Sequence, residues 1–266
     1  MSAGHFWFVG DVHGRADLLA TLIDAVSRLE QVPKFVFLGD IVDRGPSSRE
    51  SLDIVQDTLA RHPGSRLLLG NHDDMFLSAM RAGLESREAR HWRDRCGGKE
   101  TLESYGCPQE IDEAARMIKA SHRTHLKMLE DAALLLRFGP FVACHAGINP
   151  RLPLDGQHKL DVLWIRDGFL DWPDERLVPV IHGHSITDNE MPIMTENRIS
   201  LDTGAFYSGR LTCLRLDLAQ RSLKFFQARP DGFVEVEPEI HDRGRGTLMD
   251  RLDSLFEATP TNSQRI

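Results

Sequence analysis

The sequence predicts an α/β domain whose functional groups stand at the ends of buried strands. Three observations predict it. Short apolar runs recur along the chain, and each stops abruptly at Gly, Asp, Asn or His. Helix-patterned segments separate the early runs, so the opening order reads β-α-β-α-β with parallel pairing. Ligands of open α/β sheets gather at the carboxyl ends of the strands, where these polar residues fall.

The strand runs are HFWFVGD (His5–Asp11), KFVFLGD (Lys34–Asp40), RLLLGNHD (Arg66–Asp73), FVACHAG (Phe141–Gly147), VPVIHGH (Val178–His184) and RISLDTG (Arg198–Gly204). Each reads as a buried strand followed by a turn. Between the first two, Leu18, Leu19, Leu22, Ile23, Val26 and Leu29 share one helical face, and a second helix covers Ser48–Leu59. Residues 74–137 are mostly helical and charged, and read as an insertion over one end of the sheet. The stretch RCGGKETLESYGCP (Arg95–Pro108) breaks it. Pro150–Pro179 is loop-rich. RLTCLRLD (Arg210–Asp217) and SLKFFQA (Ser222–Ala228) form a terminal hairpin. The expected organisation is one catalytic domain over residues 1–238 and a tail over 239–266. In the tail, Leu248, Met249, Leu252, Leu255 and Phe256 mark a short amphipathic helix.

A chain of 266 residues with 41% hydrophobic and 27% charged residues can bury a substantial core. Its net charge of -8 excludes a basic field, so nucleic acid is not expected as a general partner. No apolar run reaches membrane-spanning length, so no membrane partner is expected. MSAGHFWFVGD lacks the basic region and long apolar core of a signal peptide. Cys96, Cys107, Cys144 and Cys213 form no C-x-x-C pair and are expected as reduced thiols of a cytoplasmic protein.

The strand tips carry the chemistry. In GDVHG, one residue separates Asp11 from His13, so both can turn toward one point. Carboxylate and imidazole together suit a divalent cation. In GDIVDRG, Asp40 takes the same place in the next βα unit, followed by Asp43 and Arg44. That last pair could equally cap the next helix or bind each other. In GNHD, Asn71 can offer an amide oxygen to a metal and His72 can act as acid or base. His145 in CHAG, His184 in HGHS and Asp202 in LDTG complete the set. Singly, each reads more readily as a structural residue. Six in order, flanked by glycines, point to a shared metal site.

GDVHG, GDIVDRG, GNHD, HAG and HGH resemble the ordered motifs of the phosphoprotein phosphatase family, within the calcineurin-like metallophosphoesterases. The match is closest to bacterial and phage protein serine/threonine phosphatases of the lambda-phosphatase type. VLWIR (Val162–Arg166) and ISLDTGAFYSGRLT (Ile199–Thr212) resemble that subgroup too, and the likeness spans roughly residues 5–217. The resemblance implies a β-sandwich flanked by helices, with a dimetal site where strand-to-helix loops converge. It implies that Asp11, His13 and Asp40 hold one ion, and that Asp40 bridges to a second held by Asn71, His145 and His184. It implies His72 as catalytic acid oriented by Asp43, and Arg44 and Arg166 as phosphate-binding residues.

The chemistry agrees. Two divalent cations about 3.5–4 Å apart lower the pKa of a shared water and neutralise phosphoryl charge, and the hydroxide attacks in line. His72 suits protonation of the leaving alkoxide, and the planar fork of Arg44 suits phosphate oxygens. Nitrogen and oxygen donors without thiolate favour Mn²⁺, with Fe or Zn as alternatives. The expected substrate is a phosphorylated protein or peptide, with small phosphate esters also fitting. The enzyme alternative is a dinucleoside tetraphosphatase. Such relatives usually lack the Asp-Arg pair present here as Asp43–Arg44. The non-enzyme alternative is a pseudophosphatase that binds phosphorylated partners.

Some residues depart from the pattern. Asp73 stands where the family usually has Glu. His182 is expected as a strand-end residue rather than a ligand. His122 and His125 are expected on a solvated helix face, Cys144 in the core, and Trp164 packed inside or walling the cleft.

Overall fold

Strand β1 (His5–Val9) sits beside β2 (Phe35–Phe37) in the computed structural model, which describes residues 5–82, 86–172, 178–242 and 247–258. Parts of the expected insertion (83–85), of the loop-rich segment (173–177) and of the tail (243–246 and 259–266) lie outside those residues. The further strands are β3 (Arg66–Leu67), β4 (Leu135–Phe138), β5 (Phe141–Cys144), β6 (Val180–His182), β7 (Ile193–Met194), β8 (Arg198–Ser200), β9 (Leu211–Asp217), β10 (Ser222–Arg229), β11 (Gly232–Val236) and β12 (Glu239–Ile240). They form two six-stranded sheets, ordered β11-β10-β9-β1-β2-β3 and β12-β7-β8-β6-β5-β4. Helices α1 (Ala16–Leu29) and α2 (Ser48–Arg61) flank the first sheet.

Side-chain alternation along the strands builds three apolar layers. Trp7, Val9, Phe35 and Phe37 face outward against Leu18, Leu22, Leu52 and Val55 of α1 and α2. Phe8 and Val36 face inward against Phe141, Ala143, Ile181 and Ile199 of the second sheet. On that sheet's far side, Cys144 and Val180 meet Val162 and Phe169. Both faces of each sheet are therefore covered, which is why the strands read as unbroken apolar runs. Cys144 is core, as expected. The described residues contain no helix long and apolar enough to cross a membrane.

The parallel strands aim the site. β1, β2 and β3 run parallel in one sheet, and β5, β6 and β8 run parallel in the other. Their carboxyl ends meet, and Asn71 beyond β3 touches His145 beyond β5.

Several elements differ from expectation. β3 stops at Leu67: the Leu68 N–H still donates to Phe37 of β2, but the Leu69 N–H turns to the Ala133 carbonyl. Helix α3 (Asn71–Ala82) begins at once, so GNHD is a helix N-terminus and not a strand tip. The insertion holds α3, α4 (Arg87–Arg95), α5 (Gly98–Ser104), α6 (Ile111–Ser121) and α7 (Arg123–Glu130). Its last residues are strand, since Leu135–Phe138 pairs antiparallel with β5. The terminal hairpin gains β11, and β12 joins the second sheet beside β7. Helix α8 (Lys159–Trp164) interrupts the loop-rich segment, and α9 (Ala205–Ser208) follows β8. Leu29 is 62% exposed, so the apolar stripe of α1 ends at Val26. In the tail, α10 (Leu248–Ala258) places Leu248 and Leu252 in the layer between the sheets.

His125 is not solvated. It is buried, with Nδ1 2.8 Å from the Tyr105 hydroxyl and Nε2 3.0 Å from Asp53, and the His122 ring packs edge-on to Tyr105. These contacts fasten the insertion to α2.

Asp73 explains its own short reach. Its carboxylate is fully buried and accepts backbone N–H groups from Ile41 (3.0 Å), Val42 (3.4 Å) and Gly70 (3.1 Å). It pins the start of α3 to the loop after β2. Asp73→Ala strands these donors and is expected to cost about 3 kcal/mol. Calorimetry should show a melting temperature lower by about 6–12 °C. An unchanged melting temperature would deny the pinning role.

Candidate metal centre

The loops that carry the site are held in uncommon backbone conformations. Among the described residues, seven non-glycine residues have positive φ, and five of them are His13 (45°), Asp40 (52°), Asp43 (73°), Arg44 (68°) and His184 (62°). Each such residue costs about 1 kcal/mol or more, so the surroundings must hold it. Val12 and His13 both donate their N–H to the Asp40 carbonyl, at 3.1 and 2.9 Å, and Gly14 donates to Ile41. The His184 N–H donates to the Asp11 carboxylate, 3.2 and 3.1 Å from its two oxygens. Gly70 must be glycine, because a Cβ there would lie 2.2 Å from Asp40 Oδ1.

Two donor groups share one carboxylate. His13, Asp40 and His72 form one, and Asp40, His145 and His184 form the other. Asp40 Oδ2 lies 3.5 Å from His13 Nε2, and Asp40 Oδ1 lies 3.4 Å from His145 Nε2. Asn71 Oδ1 completes the second group, 2.8 Å from both His145 Nε2 and His184 Nδ1. Asp11 stands beside the cluster, under the His184 backbone and next to Asp202.

A cation fits this arrangement on two grounds. The first is lone-pair direction. His13 Nδ1 donates to the Val42 carbonyl and His145 Nδ1 to the Leu38 carbonyl, each at 2.9 Å. Both rings therefore turn an unprotonated Nε2 inward. Burial pushes the His145 pKa down to about 3, so no second proton resides there. The His145 lone pair thus faces the Asn71 oxygen, an acceptor, at 2.8 Å. A cation between them would satisfy both, as would the Asn71 amide turned to present its NH2 group.

The second ground is charge. Burial, then Asp202 and Asp40, push the Asp11 carboxyl well above its usual range, and burial raises Asp40 as well. His72, then Arg44 and Arg166, lower Asp40 but do not cancel the effect. The pocket holds excess carboxylate, as a divalent-cation site does. Burial also pushes His184 down to about 2, leaving the neutral imidazole that a metal requires.

His72 is held at both nitrogens. Its Nδ1 lies 2.8 Å from Asp43 Oδ2, and its Nε2 lies 2.9 Å from Arg44 Nη2. Burial lowers its pKa and Asp40 raises it. Asp43 is fixed in turn by Trp92 Nε1 at 2.8 Å and the Thr101 hydroxyl at 2.7 Å. Arg44 also reaches His13 Nε2 at 3.0 Å and stacks 4.9 Å above the Phe206 ring. Arg166 Nη2 donates to the His184 carbonyl at 3.2 Å.

Trp92, Thr101 and Phe206 were not foreseen from the sequence. The sequence signal for the first two is the Gly-Gly break in the insertion. Gly97 has φ 91°, and a Cβ on it would lie 2.3 Å from the Arg44 nitrogen. Trp164 does not pack inside. It is 45% exposed, and its ring meets His184 edge-on at 6.0 Å, so it walls the site. His182 lies apart, bonded to the Gly183 carbonyl and the Ser200 hydroxyl.

Elemental analysis of desalted protein tests the donor assignment. His145→Ala is expected to lower the bound divalent metal by about half, and His182→Ala to leave it unchanged. Equal metal content in both variants would contradict the geometry.

Comparisons with known proteins place the chain among metal-dependent phosphoesterases. The family model described as calcineurin-like phosphoesterase matches residues 4–203. Serine/threonine-protein phosphatase 2 of Salmonella typhimurium is 28% identical over 221 residues, covering 80% of this chain and 93% of its own. Symmetrical bis(5'-nucleosyl)-tetraphosphatase of Vibrio parahaemolyticus is 30% identical over 150 residues, covering 56% of this chain and 47% of its own. A solved cold-active protein tyrosine phosphatase shares the fold at a TM-score of 0.60 and 18% identity, covering 89% of this chain and 80% of its own. The chain belongs to the calcineurin-like phosphoesterase family of metal-dependent phosphate-ester hydrolases.

Proposed function

We propose that this chain is a cytoplasmic protein serine/threonine phosphatase that uses two divalent ions, Mn²⁺ foremost. The observation that carries this reading is His72, held between Asp43 and Arg44 at the edge of a donor cluster centred on Asp40. Asp11, His13 and Asp40 would hold one ion, and Asp40, Asn71, His145 and His184 would hold the other. When bound, such ions polarise phosphoryl oxygens and acidify a water.

The protein groups do the rest. Arg44 and Arg166 grip the phosphate oxygens from the two sides that carry His13 and His184. Asp43 fixes His72 as the tautomer with Nδ1–H, and stabilises the imidazolium from which Nε2 protonates the departing alkoxide. Trp92 and Thr101 keep Asp43 from rotating away.

The extent of the match to serine/threonine-protein phosphatase 2 supports a phosphoprotein substrate, whereas the match to the tetraphosphatase stops at about half of either chain. A panel of phosphoserine peptides, dinucleoside tetraphosphates and nucleoside monophosphates, ranked by kcat/KM with Mn²⁺, decides between them. Phosphopeptides are expected to lead. A dinucleoside tetraphosphate in first place would replace this reading with the other.

His72→Asn tests the acid role. Turnover of an alkyl phosphomonoester such as a phosphoserine peptide is expected to fall about 10²–10⁴-fold. An aryl phosphate, whose leaving group needs less protonation, is expected to lose markedly less. Equal losses on both substrates would remove His72 from the proton-transfer step.

A further inference from the structure

The protein carries a net charge of -8, yet the segment beside its catalytic loop is basic. From Ser86 to Lys99 the cationic side chains are Arg87, Arg90, Arg93, Arg95 and Lys99, against the two carboxylates Glu88 and Asp94. Both carboxylates are engaged locally. Asp94 is held by Arg93 at 2.7 and 3.0 Å, and Glu88 accepts the Ser86 hydroxyl at 2.7 Å. Arg87, Arg95 and Lys99 are exposed and have no ion pair among the described residues.

The placement of this charge is fixed by the site. The inner face of α4 is buried through Ala89 and Trp92, and Trp92 bonds Asp43. The chain leaving α4 touches the catalytic loop, where the Gly97 carbonyl accepts the Arg44 N–H at 3.3 Å. Arg87, His91 and Arg95 recur every four residues, so they share the outer face. That stripe ends at Arg95, two residues before Gly97, and spans about 12 Å at 1.5 Å per residue. A peptide extended at about 3.3 Å per residue covers it in about four residues.

We infer that the outer face of α4 is a substrate subsite that binds acidic residues flanking the phosphorylated residue of a protein or peptide. This rests on the phosphoprotein reading above and adds its specificity. Charge complementarity selects the occupant: a cationic stripe on an acidic protein attracts an anionic segment and repels a basic one. Its length matches several residues of extended chain, whereas the remaining phosphates of a dinucleoside polyphosphate stay close to the cleaved one.

The test uses the full-length protein with Mn²⁺ and three phosphoserine peptides whose four residues on either side are Glu, Ala or Lys. An aryl phosphate serves as the reference substrate. The Glu peptide is expected to exceed the Lys peptide about tenfold in kcat/KM, and the ratio to shrink as salt rises. In Arg87→Glu/Arg95→Glu the ratio is expected to collapse or invert, with aryl phosphate turnover unchanged. A milder Arg87→Ala/Arg95→Ala variant is expected to lie between. Equal rates on all three peptides, or a preference that survives the charge reversal, would overturn the α4 subsite alone. Turnover of the aryl phosphate with none of any phosphopeptide would overturn the phosphoprotein reading on which it stands.

Discussion

The structure depends on one buried carboxylate. Asp40 lies three residues beyond the second strand, at a positive φ, and faces a histidine nitrogen from each sheet across its two oxygens. Its Oδ1 also accepts the His72 N–H at 2.8 Å, at the first turn of α3. The positive end of a helix thus meets a carboxylate that two donor groups share. Gly70 exists to let that approach happen. Loss of this contact would disconnect the helix bearing Asn71 and His72 from the loops bearing His13 and Asp43.

Around Asp40 the protein stores strain and charge rather than avoiding them. Positive-φ residues cluster there, and buried carboxylates crowd one another. Asp73 is raised to about 8 by burial and by Asp40, yet three backbone N–H groups still hold it. Such a pocket is costly for a folded chain on its own. Cations bound there would relieve that cost and couple binding to local stability through the same residues.

Much of this was legible because the strand-end residues fall in short, ordered motifs. Asp11, His13, Asp40, Asp43, Arg44, Asn71, His72, His145, His184 and Arg166 all lie together. What was not legible came from distance or from competing partners. Trp92 and Thr101 reach Asp43 from an insertion whose fold no local pattern announces. GNHD was read as a strand end because RLLL precedes it, but the Leu69 N–H turns from β2 to the Ala133 carbonyl and the helix starts early. That change explains how neighbours can serve one site: successive helical residues lie about 100° apart, and strand neighbours oppose each other. His125 looked like a surface residue by spacing alone, and Tyr105 and Asp53 gave it a buried place.

In the proposed centre Asp40 would lie between two cations. Anomalous diffraction from crystals grown with Mn²⁺, collected on both sides of the metal absorption edge, tests it directly. Two peaks are expected, one on the His13 side and one on the His145 side, with Asp40 contacting both ions. A single peak, or two peaks with Asp40 bound to neither, would contradict it.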